Sequence, residues 1–307
     1  MTANAGLTAR ETTFSAQLPP MPLPLLAVDT PSMLFRAFYA LPDSIVGSDG
    51  KPVNALLGTA NLVLREVEAH RPRTVVLCFG PDAASYRTEL YPAYHAERAA
   101  AMPDALAPQF AAARDFFDAF GWTVATSDDL EADDLLGTYA SREAEAGGRA
   151  LLLTGDRDMY QCAGERVTVL YVKTGGKGAE EVGPSEVEER YGVPPALVPD
   201  FIALRGDPSD GLPGAKGVGP KTAAELLRRH GSLEAVLENA IRERRPALRG
   251  ALLDAADDLR AFKDIATLRD AGVDPPPDRE TDWVGAAAAA HERGMNRLAE
   301  RLLAAAS

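Results

Sequence analysis

Acidic residues recur along the chain at positions from which a catalytic pocket can be built. Asp29 directly follows the apolar run Leu25-Leu26-Ala27-Val28, and Asp156 and Asp158 follow Leu151-Leu152-Leu153 in Thr154-Gly155-Asp156-Arg157-Asp158. Glu131, Asp133 and Asp134 open a helical pattern in Leu130-Glu131-Ala132-Asp133-Asp134-Leu135. Asp207 and Asp210 lie in Arg205-Gly206-Asp207-Pro208-Ser209-Asp210-Gly211. Carboxylates gathered in one place repel each other and shift their pKa values upward unless a cation compensates. Hard oxygen donors without His or Cys suit Mg²⁺ or Mn²⁺ better than zinc. Two such ions about 4 Å apart would activate water and stabilise a leaving oxygen in phosphodiester cleavage. Taken singly each acid has a plainer reading, because acids after strands and at helix starts cap turns and complement the helix dipole. Four acidic groups in the expected places together favour the metal.

A second signal is the segment Leu212-Pro213-Gly214-Ala215-Lys216-Gly217-Val218-Gly219-Pro220-Lys221-Thr222. Gly217 and Gly219 are read as admitting backbone angles closed to other residues and letting a phosphate approach the main chain. Pro220 suits the first position of a following helix, whose free N–H groups and positive dipole end attract phosphate. From Gly211 to His230 the bases Lys216, Lys221, Arg228 and Arg229 face a single acid, Glu225. A plain turn would also accept these glycines and the proline. With the flanking lysines and the acids just before them, backbone-phosphate binding is the stronger reading.

These residues need a scaffold. Four short apolar runs (Leu25–Val28, Val75–Phe79, Leu151–Leu153 and Val167–Val172) suit strands buried on both faces of a parallel sheet. Helical patterns lie between them, from Leu56 to Ala69, Phe110 to Phe120 and Ala132 to Ala146. The alternation predicts an α/β, Rossmann-like core, in which sites form beyond the carboxyl ends of the strands. From Gly183 onward the pattern is helical, including a stretch from Ala286 to Leu303, and no further strand is expected. The expected organisation is an N-terminal extension over 1–24, an α/β core over 25–182 and a helical region over 183–307 with its hairpin at about 212–230.

Composition sets wider bounds. A chain of 307 residues with 46% hydrophobic and 25% charged residues has enough bulk for a sizeable core in one large domain or two lobes. The net charge of −13 argues against a nucleic-acid partner unless the acids bind cations and the bases are gathered locally. Cys78 and Cys162 have no metal or disulfide spacing and read as reduced core thiols of a cytoplasmic protein. No run of about 18 apolar residues exists to span a membrane, and Met1 to Pro24 lacks the pattern of a secretory signal.

The ordered set of motifs resembles the 5′-nuclease, flap endonuclease-like family, and within it the 5′-3′ exonuclease domain of bacterial DNA polymerase I, here as a stand-alone protein. Val28-Asp29, Leu130 to Asp134, Thr154 to Met159, Gly206 to Gly214 and Gly217 to Thr222 carry the likeness, with Phe262-Lys263-Asp264 near its end. The resemblance implies a PIN-like core and two metal sites, one served by Asp29, Glu131 and Asp133 with Asp134 close by, the other by Asp156, Asp158, Asp207 and Asp210. It implies that Gly214–Thr222 belongs to a helix–three-turn–helix element gripping duplex backbone, with a K⁺ held by its carbonyls. It also implies a helical arch over about 83–109 that admits a single-stranded 5′ arm. Arg36, Arg87, His95, Arg98, Lys216, Gly217, Gly219, Lys221 and Thr222 are then the expected DNA contacts, Arg98 also assisting catalysis, and Phe38, Tyr39 and Tyr86 are candidates to stack on a base. The implied activity is 5′-3′ exonuclease and flap endonuclease cleavage in DNA replication and repair by a monomer near the nucleoid, on DNA or an RNA–DNA hybrid. Four positions depart from the family pattern: Gly211 stands where asparagine is common and Thr30 where glycine is, both tolerable changes, and two others bear on the site. Gly80 follows Phe79 where an aspartate is usual, with Asp82 as a nearby substitute, and His95 replaces a lysine whose charge would be fixed. A catalytically weak module that binds branched DNA is the competing reading. An Asp-nucleophile phosphatase built on Asp156-Arg157-Asp158 would leave the hairpin and the other acids unexplained.

Overall fold

The computed structural model describes residues 22–96, 102–173 and 178–307. Residues 1–21 of the expected N-terminal extension, and Arg98 in the expected arch, lie outside the described residues. Each of the four apolar runs forms a strand: β1 (Leu25–Asp29), β2 (Thr74–Phe79), β4 (Ala150–Thr154) and β5 (Val167–Val172). Two further strands, β3 (Thr123–Thr126) and β6 (Ala179–Val182), complete a sheet of order β3-β2-β1-β4-β5-β6. All pairings are parallel except β5 with β6. Both added strands are sheet edges of four residues and only partly buried, so neither carries the apolar run that marks the inner strands.

Residues of the inner strands alternate between two packed faces, which is why their sequence reads as unbroken hydrophobic. Leu25, Ala27, Val76, Cys78, Leu152 and Val169 point to one core, and Leu26, Val28, Leu77, Leu151 and Leu153 to the other. The second face is covered by α1 (Thr30–Ala40), α2 (Asn54–His70) and α4 (Ala107–Asp118). The first is covered by α5 (Ala132–Glu145) and by helices from the later part of the chain. These are α6 (Pro184–Tyr191), α7 (Val198–Arg205), α8 (Pro220–His230), α9 (Leu233–Glu238), α10 (Pro246–Asp254) and α11 (Ala256–Ala266). Lys263 of α11 ties three of them together, donating to buried Asp200 of α7 at 3.0 Å and to Glu234 of α9 at 2.8 Å. Within the expected arch, α3 (Ser85–Leu90) is helical, and Gln109 pins the base of α4 by accepting from the amide of Ala55 at 2.8 Å.

The helical stretch expected from Ala286 to Leu303 is two helices, α12 (Trp283–Glu292) and α13 (Asn296–Ala305). Gly294, at φ +75°, turns the chain between them, a conformation that costs a residue without a β-carbon little. Ala286, Ala290, Leu298 and Leu302 return to the core beneath α1, α2 and α4.

Candidate metal centre and phosphate-binding hairpin

Strands β1 and β4 are neighbours whose following connections leave toward opposite sides of the sheet, which is the switch point where open α/β sheets form their crevice. Asp29 ends β1. One of its oxygens accepts from the Ser32 amide at 3.1 Å and caps α1, and the other accepts from the Thr154 hydroxyl at 2.8 Å. The same hydroxyl accepts from the Asp156 amide at 2.9 Å, so Thr154 fixes the acids of two strands relative to each other. Asp158 begins a 3-10 turn, and its amide donates to Asp156 at 2.9 Å. Glu131 and Asp133 come in from the start of α5.

Glu131, Asp133, Asp156, Asp158 and Asp210 line a cavity of about 30 Å³, room for one water or a small ion. Desolvation raises the carboxyl pKa of Asp133 well above the usual range, and the charges of Asp29, Asp156 and Glu131 raise it further. Asp158 is pushed up likewise, by burial first and then by Asp156, Asp210, Asp207 and Asp133. Burial also raises Asp29, against the lowering effect of its hydrogen bonds and of Arg36. The donors are all oxygen and raise one another's pKa values, which is the chemistry that fits a hard divalent cation. As they stand, no three acidic, His or Cys side chains among the described residues are close enough together to hold an ion.

Part of the reason is that several expected ligands are engaged by the protein itself. Asp134, expected near the first metal, is fully buried and accepts from Arg87 at 3.1 Å, from the Arg269 amide at 2.8 Å and from the Glu131 amide at 3.2 Å. Its oxygens are committed to holding the start of α5. Arg87, expected at DNA, is instead 3% exposed, bridging Glu131 at 2.6 Å, Asp134 at 3.1 Å and the Ile265 carbonyl at 3.0 Å. Burial opposes its charge, but the two carboxylates outweigh that and raise its pKa. Glu131 accepts further from the Ala84 amide at 2.8 Å and the Tyr94 hydroxyl at 3.1 Å. Burial and the Glu131 charge push the Tyr94 phenol far up, so it stays protonated and donates.

His95, likewise expected at DNA, is buried and stacked on Tyr94, with ring centroids 4.0 Å apart. Its Nδ1 donates to the Asp82 carbonyl at 2.7 Å and its Nε2 lies 3.2 Å from Asp210. Asp207 accepts from Arg205 at 2.8 Å and from the Ser209 amide at 2.8 Å. Tyr94, Thr154, Arg205 and Ser209 therefore hold the acids in place without having been picked out in sequence. The only signal available was their adjacency to the acids and to His95.

Position 80 bears directly on the missing first-site acid. A β-carbon there would stand 2.5 Å from the Leu130 carbonyl and 2.7 Å from the Ala132 amide. The loop that delivers Glu131 has closed over Gly80, so the gap is filled by backbone. Asp82 does not substitute: its side chain is exposed and it is not among the residues lining the cavity. Gly80→Asp is therefore expected to lower stability by about 1–3 kcal/mol, as overpacking does, and to lower cleavage by displacing Glu131. A denaturation midpoint and turnover at or above those of the parent chain would show that the loop yields freely.

In the hairpin, Gly217 has φ +78° and needs glycine, whereas Gly219 has φ −94° and does not, contrary to the reading from sequence. A β-carbon at either would meet nothing within 4 Å, so both present bare backbone to open space. Buried Ala215 and Val218 anchor the turn, the Ala215 amide donating to the Leu204 carbonyl at 3.0 Å. Lys216 and Lys221 are exposed, Thr222 is half-buried, and Pro220 starts α8. Gly211 has φ +75°, a left-handed conformation that glycine and asparagine share, which accounts for its standing where asparagine is common.

Of the remaining expected DNA contacts, Arg36 is half-buried and donates to the Gly155 carbonyl at 2.6 Å, packing across the turn that carries Asp156. Tyr39 is 72% exposed at the end of α1, with Phe38 edge-on to it. Tyr86 is half-buried and covered by the Arg269 guanidinium, 3.3 Å from its ring centroid.

A family model described as the 5'-3' exonuclease N-terminal resolvase-like domain matches residues 24–192. Another, described as the 5'-3' exonuclease C-terminal SAM fold, matches residues 193–279. The chain belongs to the 5'-3' exonuclease family. It is a nuclease, a phosphodiesterase, and the α/β core with its helical partner is the family's two-part fold. The 5'-3' exonuclease of Mycobacterium tuberculosis (strain ATCC 25618 / H37Rv) is 41% identical over 236 residues, covering 71% of this chain and 74% of that protein. That of Streptomyces coelicolor (strain ATCC BAA-471 / A3(2) / M145) is 38% identical over 272 residues, covering 83% and 89%. The DNA polymerase I of Mycobacterium bovis (strain ATCC BAA-935 / AF2122/97) is 38% identical over 232 residues, but this exonuclease chain spans only 25% of its length. Among solved structures, T5 5'-exonuclease, described with divalent zinc bound, superposes with TM-score 0.66 at 18% identity over 92% of this chain and 99% of that one. The catalytic core of Rad2 in complex with a DNA substrate gives 0.61 at 15% identity over 91% of each. At such identities these likenesses show the fold. Among the described residues of this exonuclease, no helix is long and apolar enough to cross a membrane.

Proposed function

We propose that this 5'-3' exonuclease hydrolyses DNA phosphodiesters at 5′ ends, flaps and single-strand/duplex junctions, as a monomer, in replication and repair near the nucleoid. An RNA–DNA hybrid fits the same backbone-directed binding. The observation that carries this reading is the pocket of Asp133, Asp156 and Asp158 at the sheet's switch point, where burial and like charge raise the pKa values of Asp133 and Asp158 together. Those three, with Asp29, Glu131 and Asp210, would hold Mg²⁺ or Mn²⁺. Asp207 completes the set at its outer edge. Such ions, when bound, supply Lewis acidity toward the phosphoryl oxygens and acidify a water.

The chain's own residues do the positioning. Thr154 keeps Asp29 and the turn carrying Asp156 in register, and Arg87 and Tyr94 hold Glu131 at the mouth of the pocket. Lys216, Gly217, Gly219, Lys221 and Thr222 offer bare amides and two cations to the duplex backbone, and the turn's carbonyls suit a K⁺. No element that would read base edges accompanies them, so sequence preference is expected to be low.

A 5′-labelled flap substrate tests the reading directly. Short labelled products in Mg²⁺ or Mn²⁺, and none in chelator, are the expected result. Intact substrate under all conditions, with tight binding, would favour the competing non-catalytic module, which the closed backbone at Gly80 supports. Lys216→Ala/Lys221→Ala should weaken duplex binding and reduce the steepness of its salt dependence by about 2 in log–log slope. An unchanged slope would remove the hairpin from the binding surface.

A further inference from the structure

Beyond the pocket and the hairpin, a cleft of about 650 Å³ lies at the far end of α8, between that helix, α9 and the turn into α10. Arg229, Arg242, Arg244 and Arg245 line it, with Glu225 and Glu243 as the acids among them. The two glutamates are shared between two of the arginines. Arg229 contacts Glu225 at 2.5 Å and Glu243 at 3.5 Å, and Arg245 contacts Glu225 at 3.2 Å and Glu243 at 3.0 Å. Hydrogen bonds from the Arg245 side chain and amide, helped by the Arg245 and Arg229 charges, hold the Glu243 carboxyl down at about 2, and Glu225 is paired with the same two arginines. No acid among the described residues forms an ion pair with Arg242 or Arg244, and both side chains are exposed. The cleft thus carries net positive charge on a chain of net charge −13.

Guanidinium forks match pairs of phosphate oxygens, and the glutamates orient two of them in advance. The placement relative to the hairpin adds a direction. Along α8, Lys221, Glu225, Arg228 and Arg229 share one face by helical spacing, opposite buried Ala223, Leu226 and Leu227. The eleven residues of α8 run about 16 Å from the hairpin to the far wall of the cleft at His230, on the order of half a turn of duplex.

We propose that this arginine cleft is a second backbone-phosphate site, engaging the duplex arm of the substrate about half a turn beyond the hairpin. The proposal rests on the hairpin being the first such contact. It makes affinity depend on the length of the duplex arm, which the hairpin alone would not do.

The test is duplex binding in chelator by Arg242→Glu/Arg244→Glu, with Arg242→Gln/Arg244→Gln as a second variant that removes charge without reversing it. Arms of about 5 and about 20 base pairs beyond the junction fall short of and past the cleft. On the long arm both variants are expected to lose about 10-fold in affinity near physiological salt and about 2 units of log–log salt slope. On the short arm they should match the parent chain. Equal losses on both arms, or none on the long arm, would overturn the cleft proposal. Lys216→Ala/Lys221→Ala separates the two ideas. If it weakens both arms while the arginine variants weaken neither, the hairpin stands and the cleft falls; if it weakens neither arm, the hairpin reading itself has failed.

Discussion

Asp158→Asn is expected to lower phosphodiester cleavage by more than about 100-fold and, in the absence of divalent ions, to make the protein more stable at neutral pH. The first effect follows from placement, since Asp158 lines the cavity together with Asp133 and Asp156. Loss of a mere outer-sphere partner costs up to about 100-fold, and a direct oxygen donor costs more. The second follows from the raised pKa. A carboxyl whose folded value lies above its unfolded value binds more protons when folded. Stability is therefore lost as pH rises from the ordinary carboxylate value upward through the folded one, and it is regained as pH falls. Asn has no charge to acquire, so the variant should melt higher than the parent chain at pH 7, with the gap closing as pH is lowered toward 4. Saturating Mg²⁺ or Mn²⁺ should stabilise the parent more than the variant, because only the folded pocket binds the ion. Melting curves in chelator and in metal, beside cleavage of a labelled flap, read all three. Undiminished turnover, or a variant that melts lower in chelator, would remove Asp158 from the centre.

Arg87→Ala should destabilise the fold by about 3–5 kcal/mol, the range for removing one partner of a buried ion pair. Arg87 is 3% exposed, and without it Asp134 and Glu131 would be left with uncompensated charge in the interior. Its Nε also joins α3 to the end of α11 through the Ile265 carbonyl. Arg87→Lys restores the charge without the planar fork that serves three acceptors at once, so it should recover only part of the loss. The residual folded enzyme should bind duplex with an unaltered salt slope, because the guanidinium does not face solvent. Chemical denaturation and salt-titrated binding distinguish this from the role expected from sequence. A variant of normal stability with a flatter salt dependence would return Arg87 to the DNA surface.

Strands β1, β2, β4 and β5 were legible because burial on both faces leaves a continuous apolar run, and the acids after β1 and β4 were legible because they are adjacent in sequence. β3 and β6 were not, since an edge strand has one face to hide and Ala179-Glu180-Glu181-Val182 has no apolar run. The acids themselves were found by type and place, but their engagements were not. Whether Asp134 meets a cation or a guanidinium depends on Arg87, which lies 47 residues earlier, and on a backbone amide 135 residues later. The same holds for His95, whose partner Asp210 is 115 residues away. Such pairings come from the folded path of the chain and leave no local mark. The glycine at position 80 reads in sequence as a deletion of function, and only the closeness of Leu130 and Ala132 reveals that the loop has taken up the space.

The pair α12 and α13 begins after residue 279, where the match to the family's C-terminal model stops. Yet this hairpin of helices roofs Phe116, Phe117 and Trp122, whose indole N–H donates to the Thr281 hydroxyl at 3.0 Å. Trimming the polypeptide to the homologous boundary would strip a lid from three aromatic rings and leave an oily scar on the side of the sheet away from α5. For this protein, the recognisable nuclease and the apolar core built around it end at different residues.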